Sequence, residues 1–235
     1  MKRRRAKPAR RPALPPSALP FRRRLLRWYA RHQRTLPWRG VRDPYAILVS
    51  EVMLQQTQVI RVQEFYTRFV GRYPTVEDLA AAPSEAVHDS WAGLGYYARA
   101  RNLHAAAKRI VDDHGGTFPA EPAVLRTLPG IGRYTAAAVA SFAFDADVAT
   151  VDTNIERVLT RVFRLRGPTR TRERRLWELA QALVPKGRSS DWNQALMDLG
   201  ATTCIARSPR CDRCPVAPVC RSRATPRSRS GVGRA

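Results

Sequence analysis

Four cysteines, the only ones in the chain, fall within seventeen residues: Cys204, Cys211, Cys214 and Cys220, spaced x6-x2-x5. Thiolates set this close along a chain are soft ligands, suited to zinc or an iron–sulfur cluster more than to disulfide pairing. A zinc site usually presents two close Cys pairs, and here only Cys211 and Cys214 form one. Spacing alone favours a cubane cluster and leaves zinc and disulfides as alternatives.

Two carboxylates could do acid–base work. Glu51 lies in the mostly apolar segment 47–54. A carboxyl group held in apolar surroundings keeps its proton to higher pH, as a general acid requires. Periodicity equally allows Glu51 on the polar, solvent side of a helix. Asp152 stands two residues before Asn154 in Thr150-Val151-Asp152-Thr153-Asn154, where an Asp at a helix start is an ordinary cap. The helix dipole keeps such an Asp ionised, so it can also face a developing cation.

A third element binds rather than reacts. Leu128-Pro129-Gly130-Ile131-Gly132-Arg133-Tyr134-Thr135-Ala136 joins two short helices. Gly130 and Gly132 permit positive φ and close backbone approach. The helix that starts after them aims unpaired N–H groups at the same point, which suits a DNA phosphate, with a purely structural helix–turn–helix closed by a glycine cap as the alternative.

The elements that carry these residues read as helices. From Phe21 onward apolar residues recur at helical spacing and β-branched alternation is scarce, which predicts an all-α chain of about ten helices. Leu25, Leu26, Trp28 and Tyr29 mark a first helix, and a second runs from Tyr45 to about Gln56. Thr75-x-x-Asp78 and Ser84 read as N-caps. A longer helix over 98–114 ends at Gly115-Gly116. Further helices are expected over 150–165, 172–184 and 191–202.

The formal net charge is +23 with a pI near 11.4, which implies a polyanionic partner. Fifteen of those charges sit at the ends, in residues 1–24 and 221–235, and +8 remains between them. The Pro-, Ala- and Arg-rich stretch 1–20 is expected to be a disordered arm. It lacks the apolar core of a signal peptide, and no run of about 18 apolar residues occurs, so a soluble intracellular protein is expected.

Taken together, the strings resemble one family. The x6-x2-x5 cysteines resemble the [4Fe–4S] loop of the endonuclease III and MutY group of DNA glycosylases, and the segment 128–136 resembles their helix-hairpin-helix. Ser50-Glu51-Val52-Met53-Leu54-Gln55-Gln56-Thr57-Gln58-Val59 resembles the catalytic-acid segment of MutY-type adenine glycosylases. Leu36-Pro37-Trp38-Arg39 resembles their adenine pocket, and Trp91–Leu103 resembles their minor-groove loop. Asn193-Gln194-Ala195-Leu196-Met197-Asp198-Leu199-Gly200 leads into the cysteines as theirs does.

That resemblance implies a two-lobed fold. A six-helix barrel would span 41–146, a cluster lobe 21–40 with 147–221, and basic tails 1–20 and 222–235. By the same resemblance, Glu51 protonates adenine, Asp152 stabilises or traps the oxocarbenium ion, and Asn154 positions the sugar or water. Leu36, Trp38 and Arg39 form the pocket, and Gln56 and Tyr96 fill the stack. Gly130, Gly132 and Arg133 hold a phosphate, and the four cysteines ligate one [4Fe–4S] cluster. Bifunctional relatives carry a lysine where this chain has Tyr134, which implies hydrolysis without strand cleavage. The implied partner is double-stranded DNA with a mispaired adenine, met by a cytoplasmic, nucleoid-associated monomer. MutY proteins normally continue into an 8-oxoguanine-recognition domain, whereas fifteen residues follow Cys220 here. Preference for 8-oxoguanine over guanine opposite the adenine therefore stays open. The alternatives are a thymine/uracil mismatch glycosylase, an endonuclease III-type lyase and a catalytically silent DNA-binding protein.

Overall fold

The computed structural model describes residues 14–223 of the 235. Among them are eleven α-helices, one short 3-10 helix and no strand, so the all-α expectation holds. The helices are α1 (Ala18–His32), α2 (Pro44–Met53), α3 (Val59–Arg72), α4 (Val76–Ala81), α5 (Ser84–Ser90) and α6 (Ala98–His114). They continue with α7 (Pro122–Leu125), α8 (Arg133–Phe144), α9 (Thr153–Phe163), α10 (Thr169–Leu183) and α11 (Ser189–Thr202).

Helix α2 is the axle of the larger group. Every residue from Tyr45 to Met53 is buried, and a helix apolar on all sides must lie inside. It packs on α3, α6 and α8, while α4 and α5 pack on α6 and α7 packs on α8. Its start is set by Asp43, whose carboxylate accepts from the N–H of Tyr45 at 3.1 Å and of Ala46 at 3.2 Å, with Pro44 in the first turn. In the second group α1 and α9 pack on α11 and α10 on α9, and α11 also touches α8. Phe21 locks this group edge-on, 5.4 Å from the Phe163 ring and 5.5 Å from Trp192. Removing its ring would cost about 3–5 kcal/mol.

Several boundaries differ from the sequence reading. The arm expected to reach Pro20 stops earlier, since α1 begins at Ala18, which is fully buried. Pro20 is tolerated because first-turn N–H groups have no helical partner to lose. The rest of that arm, residues 1–13, and the tail 224–235 lie outside the described residues. Helix α2 ends at Met53 rather than Gln56, and the reason appears at Gln56 itself, whose φ is +57°. Ser84 is the first residue of α5 and not its cap, a place taken by Pro83. The Thr75–Asp78 capping box and the Gly115 C-cap in the left-handed conformation form as read. Helix α9 starts at Thr153 because Asp152 caps it, which removes Thr150–Asp152 from the expected span.

Candidate active site and cysteine cavity

A cavity of about 530 Å³ opens between α2, the 34–41 segment, α8, the start of α9 and α11. Leu36, Trp38, Arg39, Glu51, Gln56, Tyr134, Asp152 and Asn154 all line it, so eight of the sequence-selected residues meet in one place. Glu51 faces the cavity and not bulk water, being 6% exposed, which closes the solvent-side alternative. Burial pushes its pKa up to about 7. A hydrogen bond from the Tyr134 hydroxyl pulls the other way, the Asp152 carboxylate adds to the rise, and Arg39 opposes it. Burial and the neighbouring Glu51 hold the Tyr134 phenol well above its ordinary range.

Asp152 does two jobs. Its Oδ1 caps α9 by accepting from the Ile155 N–H at 2.7 Å, and its Oδ2 accepts from Asn154 Nδ2 at 2.9 Å. The carboxylate thus sits at the positive end of α9 with one oxygen turned toward the cavity side chains. Asn154 is held from behind by Arg157, whose Nη2 donates to Asn154 Oδ1 at 2.6 Å. The same Arg157 donates to the Gly200 carbonyl at 2.8 Å and the Cys204 carbonyl at 2.7 Å. No sequence pattern had singled out Arg157.

The pocket wall has its own support. Arg39 donates to Asp198 Oδ1 at 2.8 Å, to the Tyr29 hydroxyl at 3.0 Å and to Gln194 Oε1. Asp198 is fully buried and also binds Arg34 through Nε at 2.7 Å and the backbone N–H at 3.1 Å. Two arginines more than offset the charge of the one buried carboxylate, which in turn fixes both guanidinium groups at the cavity. Gln194 and Asp198 were legible only as parts of a longer string, and Arg34 lay in none. Trp38 is set edge-on to Tyr66 at 5.4 Å.

Tyr96 stands apart from the carboxylate cavity. It is 61% exposed and shares with Gln56 an open groove of about 420 Å³. At the helix-hairpin-helix turn, Gly130 has φ +71°, and a Cβ there would meet the Asn102 side chain at 2.6 Å. Gly132 differs from expectation: its φ is −82°, and a Cβ would meet nothing within 4 Å. Its smallness leaves space outside the turn rather than a special conformation. No side chain caps α8, so its first N–H groups face that space, and the Arg133 guanidinium lies 3.5 Å from the centroid of the Trp177 ring.

All four cysteines are unpaired and line one cavity of about 150 Å³ whose other walls include Val158, Leu199 and Val216. Burial pushes the Cys214 thiol up to about 11 and raises Cys220. Thiols so placed ionise only with a cation among them, which is what an iron–sulfur group provides. Arg161 donates to Cys204 Sγ at 3.4 Å and to the carbonyls of Ile205 and Ala206 at 2.8 and 2.9 Å. A thiolate cage with cationic donors at its rim and apolar walls fits an anionic cluster.

Comparison with known proteins agrees with this geometry. Residues 204–220 match the iron–sulfur binding domain of endonuclease III. An adenine DNA glycosylase of Rattus norvegicus is 47% identical over 226 residues, 91% of this chain. The chain spans 43% of that relative's length. A solved thermostable thymine-DNA glycosylase superimposes with a TM-score of 0.80 at 34% identity, covering 88% of this chain and 96% of that one. A non-covalent endonuclease III–DNA complex gives 0.70 at 27%, covering 84% and 91%. Residues 49–182, more than half the sequence, match the HhH-GPD superfamily, and the chain belongs to that superfamily of base excision DNA repair proteins.

Proposed function

We propose that this chain is the catalytic module of a monofunctional adenine DNA glycosylase, which hydrolyses the N-glycosidic bond of adenine opposite 8-oxoguanine or guanine. The observation that carries the reading is the buried Glu51 with a pKa near 7, in one cavity with the α9-capping Asp152. Protonated Glu51 delivers its proton to a ring nitrogen of the flipped adenine and makes the base a better leaving group. As the bond breaks, Asp152 faces the oxocarbenium charge, and Asn154 keeps its Oδ2 in place. Leu36, Trp38 and Arg39 enclose the base. Gln56 and Tyr96 occupy the gap left in the duplex. The α8 N-terminus with Gly130, Gly132 and Arg133 takes a backbone phosphate.

Tyr134 occupies the position from which a lysine would form a Schiff base, so water is the acceptor and an abasic site the product. Its hydroxyl instead tunes Glu51. The four cysteines would hold one [4Fe–4S] cluster. The match of residues 204–220 to the iron–sulfur binding domain of endonuclease III favours a cluster over a single zinc ion. The cluster would hold residues 204–220 as one loop, which Arg157 and Arg161 tie to α9, and would take no part in bond breaking. We assign 41–146 to the barrel and 21–40 with 147–221 to the cluster lobe, acting as a monomer on double-stranded DNA in the bacterial cytoplasm.

The fit to a thymine-DNA glycosylase along 96% of its length keeps thymine as the second reading. Duplexes carrying single adenine:8-oxoguanine, adenine:guanine, thymine:guanine and uracil:guanine pairs separate the two. Adenine-strand breaks that need hot alkali support the proposal. Breaks only at thymine or uracil replace it with the second reading, and breaks without alkali replace it with a lyase.

A further inference from the structure

We propose that Arg99 is a positioning residue that clamps segments 54–57 and 93–97 into one rigid probe of the duplex and so sets mismatch discrimination; this rests on the reading of Gln56 and Tyr96 given above. Arg99 leaves α6 only 8% exposed. Its Nη1 donates to the carbonyls of Val52 at 3.1 Å, Met53 at 2.7 Å and Gln55. Its Nη2 donates to Thr57 Oγ1 and the Gly95 carbonyl, both at 3.1 Å, and to the Leu94 carbonyl at 3.4 Å. Its Cζ lies 5.6 Å from the Trp91 ring centroid and 5.4 Å from that of Tyr96.

The six partners are five carbonyls and one hydroxyl, not a carboxylate. Three of the carbonyls lie at the end of α2, where helical partners run out and a cation is favoured. The other two belong to the loop before α6. One flat fork therefore joins chain segments about forty residues apart. The bonds fall on Gln55 and Thr57, either side of Gln56, and on Gly95, just before Tyr96. Gln56 and Tyr96 are both non-glycine residues at positive φ, +57° and +49°. Such conformations persist where the surroundings over-determine them and gather at working sites. Arg99 supplies that constraint to both.

Rigidity here has a consequence for recognition. Gln56 and Tyr96 flank one open groove, so their separation is the width of the probe. A rigid probe pushes on the base stack and enters where a mismatch has weakened it. A loose one yields to matched and mismatched pairs alike.

The test is a double-mutant cycle in the full chain with its cluster, using Arg99→Lys and the pair Gln56→Ala/Tyr96→Ala. The readout is the ratio of Kd for matched duplex to Kd for a duplex with the mispair the wild type cleaves. Lysine keeps the charge but cannot span six acceptors. R99K is expected to lower this ratio roughly ten-fold in the wild-type background and less than about two-fold in the Q56A/Y96A background, because the effect passes through those two side chains. Equal losses in both backgrounds overturn the proposal, since a general loss of stability is additive. A change in which base is cleaved would alter the function proposed above without touching this coupling. Hydrogen exchange of the Gln55, Thr57 and Leu94 amides in the wild-type protein gives a check that needs no variant: one shared opening rate is expected, and separate rates for the two segments refute the clamp.

Discussion

The hydroxyl of Tyr134 donates to the carboxyl group of Glu51 inside the cavity, and this bond opposes the burial that raises the Glu51 pKa. A donor to a carboxylate stabilises its ionised form, so removing the donor must raise the pKa further. In the wild-type protein the single-turnover excision rate is expected to hold below about pH 7 and fall above it, as Glu51 loses the proton it must donate. Tyr134→Phe should shift that fall to higher pH. A pH–rate profile of both proteins checks this, and a fall that moves to lower pH contradicts the assigned direction.

The same carboxyl group acts on stability with a definite sign. Glu51 has an ordinary pKa of 4.5 and a folded-state value of about 7. Between those values the unfolded chain has released the proton while the folded chain keeps it, so stability falls as pH rises through that window and stays low above it. Glutamine cannot ionise and escapes this loss. Glu51→Gln is therefore expected to be more stable than wild type by on the order of 3 kcal/mol at pH 8, with the gain gone by pH 4. Its excision rate should drop by at least about 10²-fold with DNA binding retained. Denaturant unfolding at the two pH values, alongside single-turnover excision, measures both effects. A stability difference that does not vary with pH would remove Glu51 from the buried acid role.

Arg157 links the cysteine loop to the reaction centre, reaching the Cys204 and Gly200 carbonyls and Asn154 Oδ1 from one guanidinium. Arg157→Met frees Asn154 and with it the Oδ2 side of Asp152. A rate loss of about 10–100-fold is expected from that misalignment, with mismatch binding changed less than the rate. Iron content should also fall, because the Cys204 carbonyl keeps only the longer bond from Arg161, at 3.3 Å. Normal excision with normal iron content would show that Asp152 needs no support from this side.

How far the sequence alone reaches can be judged residue by residue. Glu51, Asp152, Tyr134 and the pocket segment were recognisable because each lies in a contiguous string whose order carries the meaning. All-α architecture followed from the 3.6-residue apolar period. What stayed hidden was the support between strings. Arg99 and Arg157 look like two more arginines in a chain with forty-two Lys and Arg residues, and only the fold shows which carbonyls they reach. The burial of Glu51 was undecidable from periodicity, since α2 is covered on every side and has no solvent face to betray. The end of α2 at Met53 was missed for a related reason: the left-handed turn at Gln56 that stops the helix is capped by Arg99, distant in sequence, which takes up the freed carbonyls of Val52, Met53 and Gln55.

Gly200 shows another hidden approach, this one against backbone. A Cβ built there would lie 2.6 Å from Asn154 Cβ and 3.1 Å from Asn154 Cα and its carbonyl oxygen. Two of those atoms are backbone, which no rotamer change can move, so α9 and α11 would have to separate. Gly200 is helical within α11, and alanine would otherwise gain about 1 kcal/mol of helix propensity. Forcing extra volume into a packed contact typically costs about 1–3 kcal/mol, so the clash outweighs the gain. Gly200→Ala is expected to lower stability by about 1–2 kcal/mol and to slow excision, because Asn154 is the atom group displaced and it holds Asp152. Thermal unfolding with the single-turnover rate checks both. A variant of wild-type stability or better would mean that the α9–α11 spacing is looser than it stands here, and Asn154 would lose its claim to be fixed by packing.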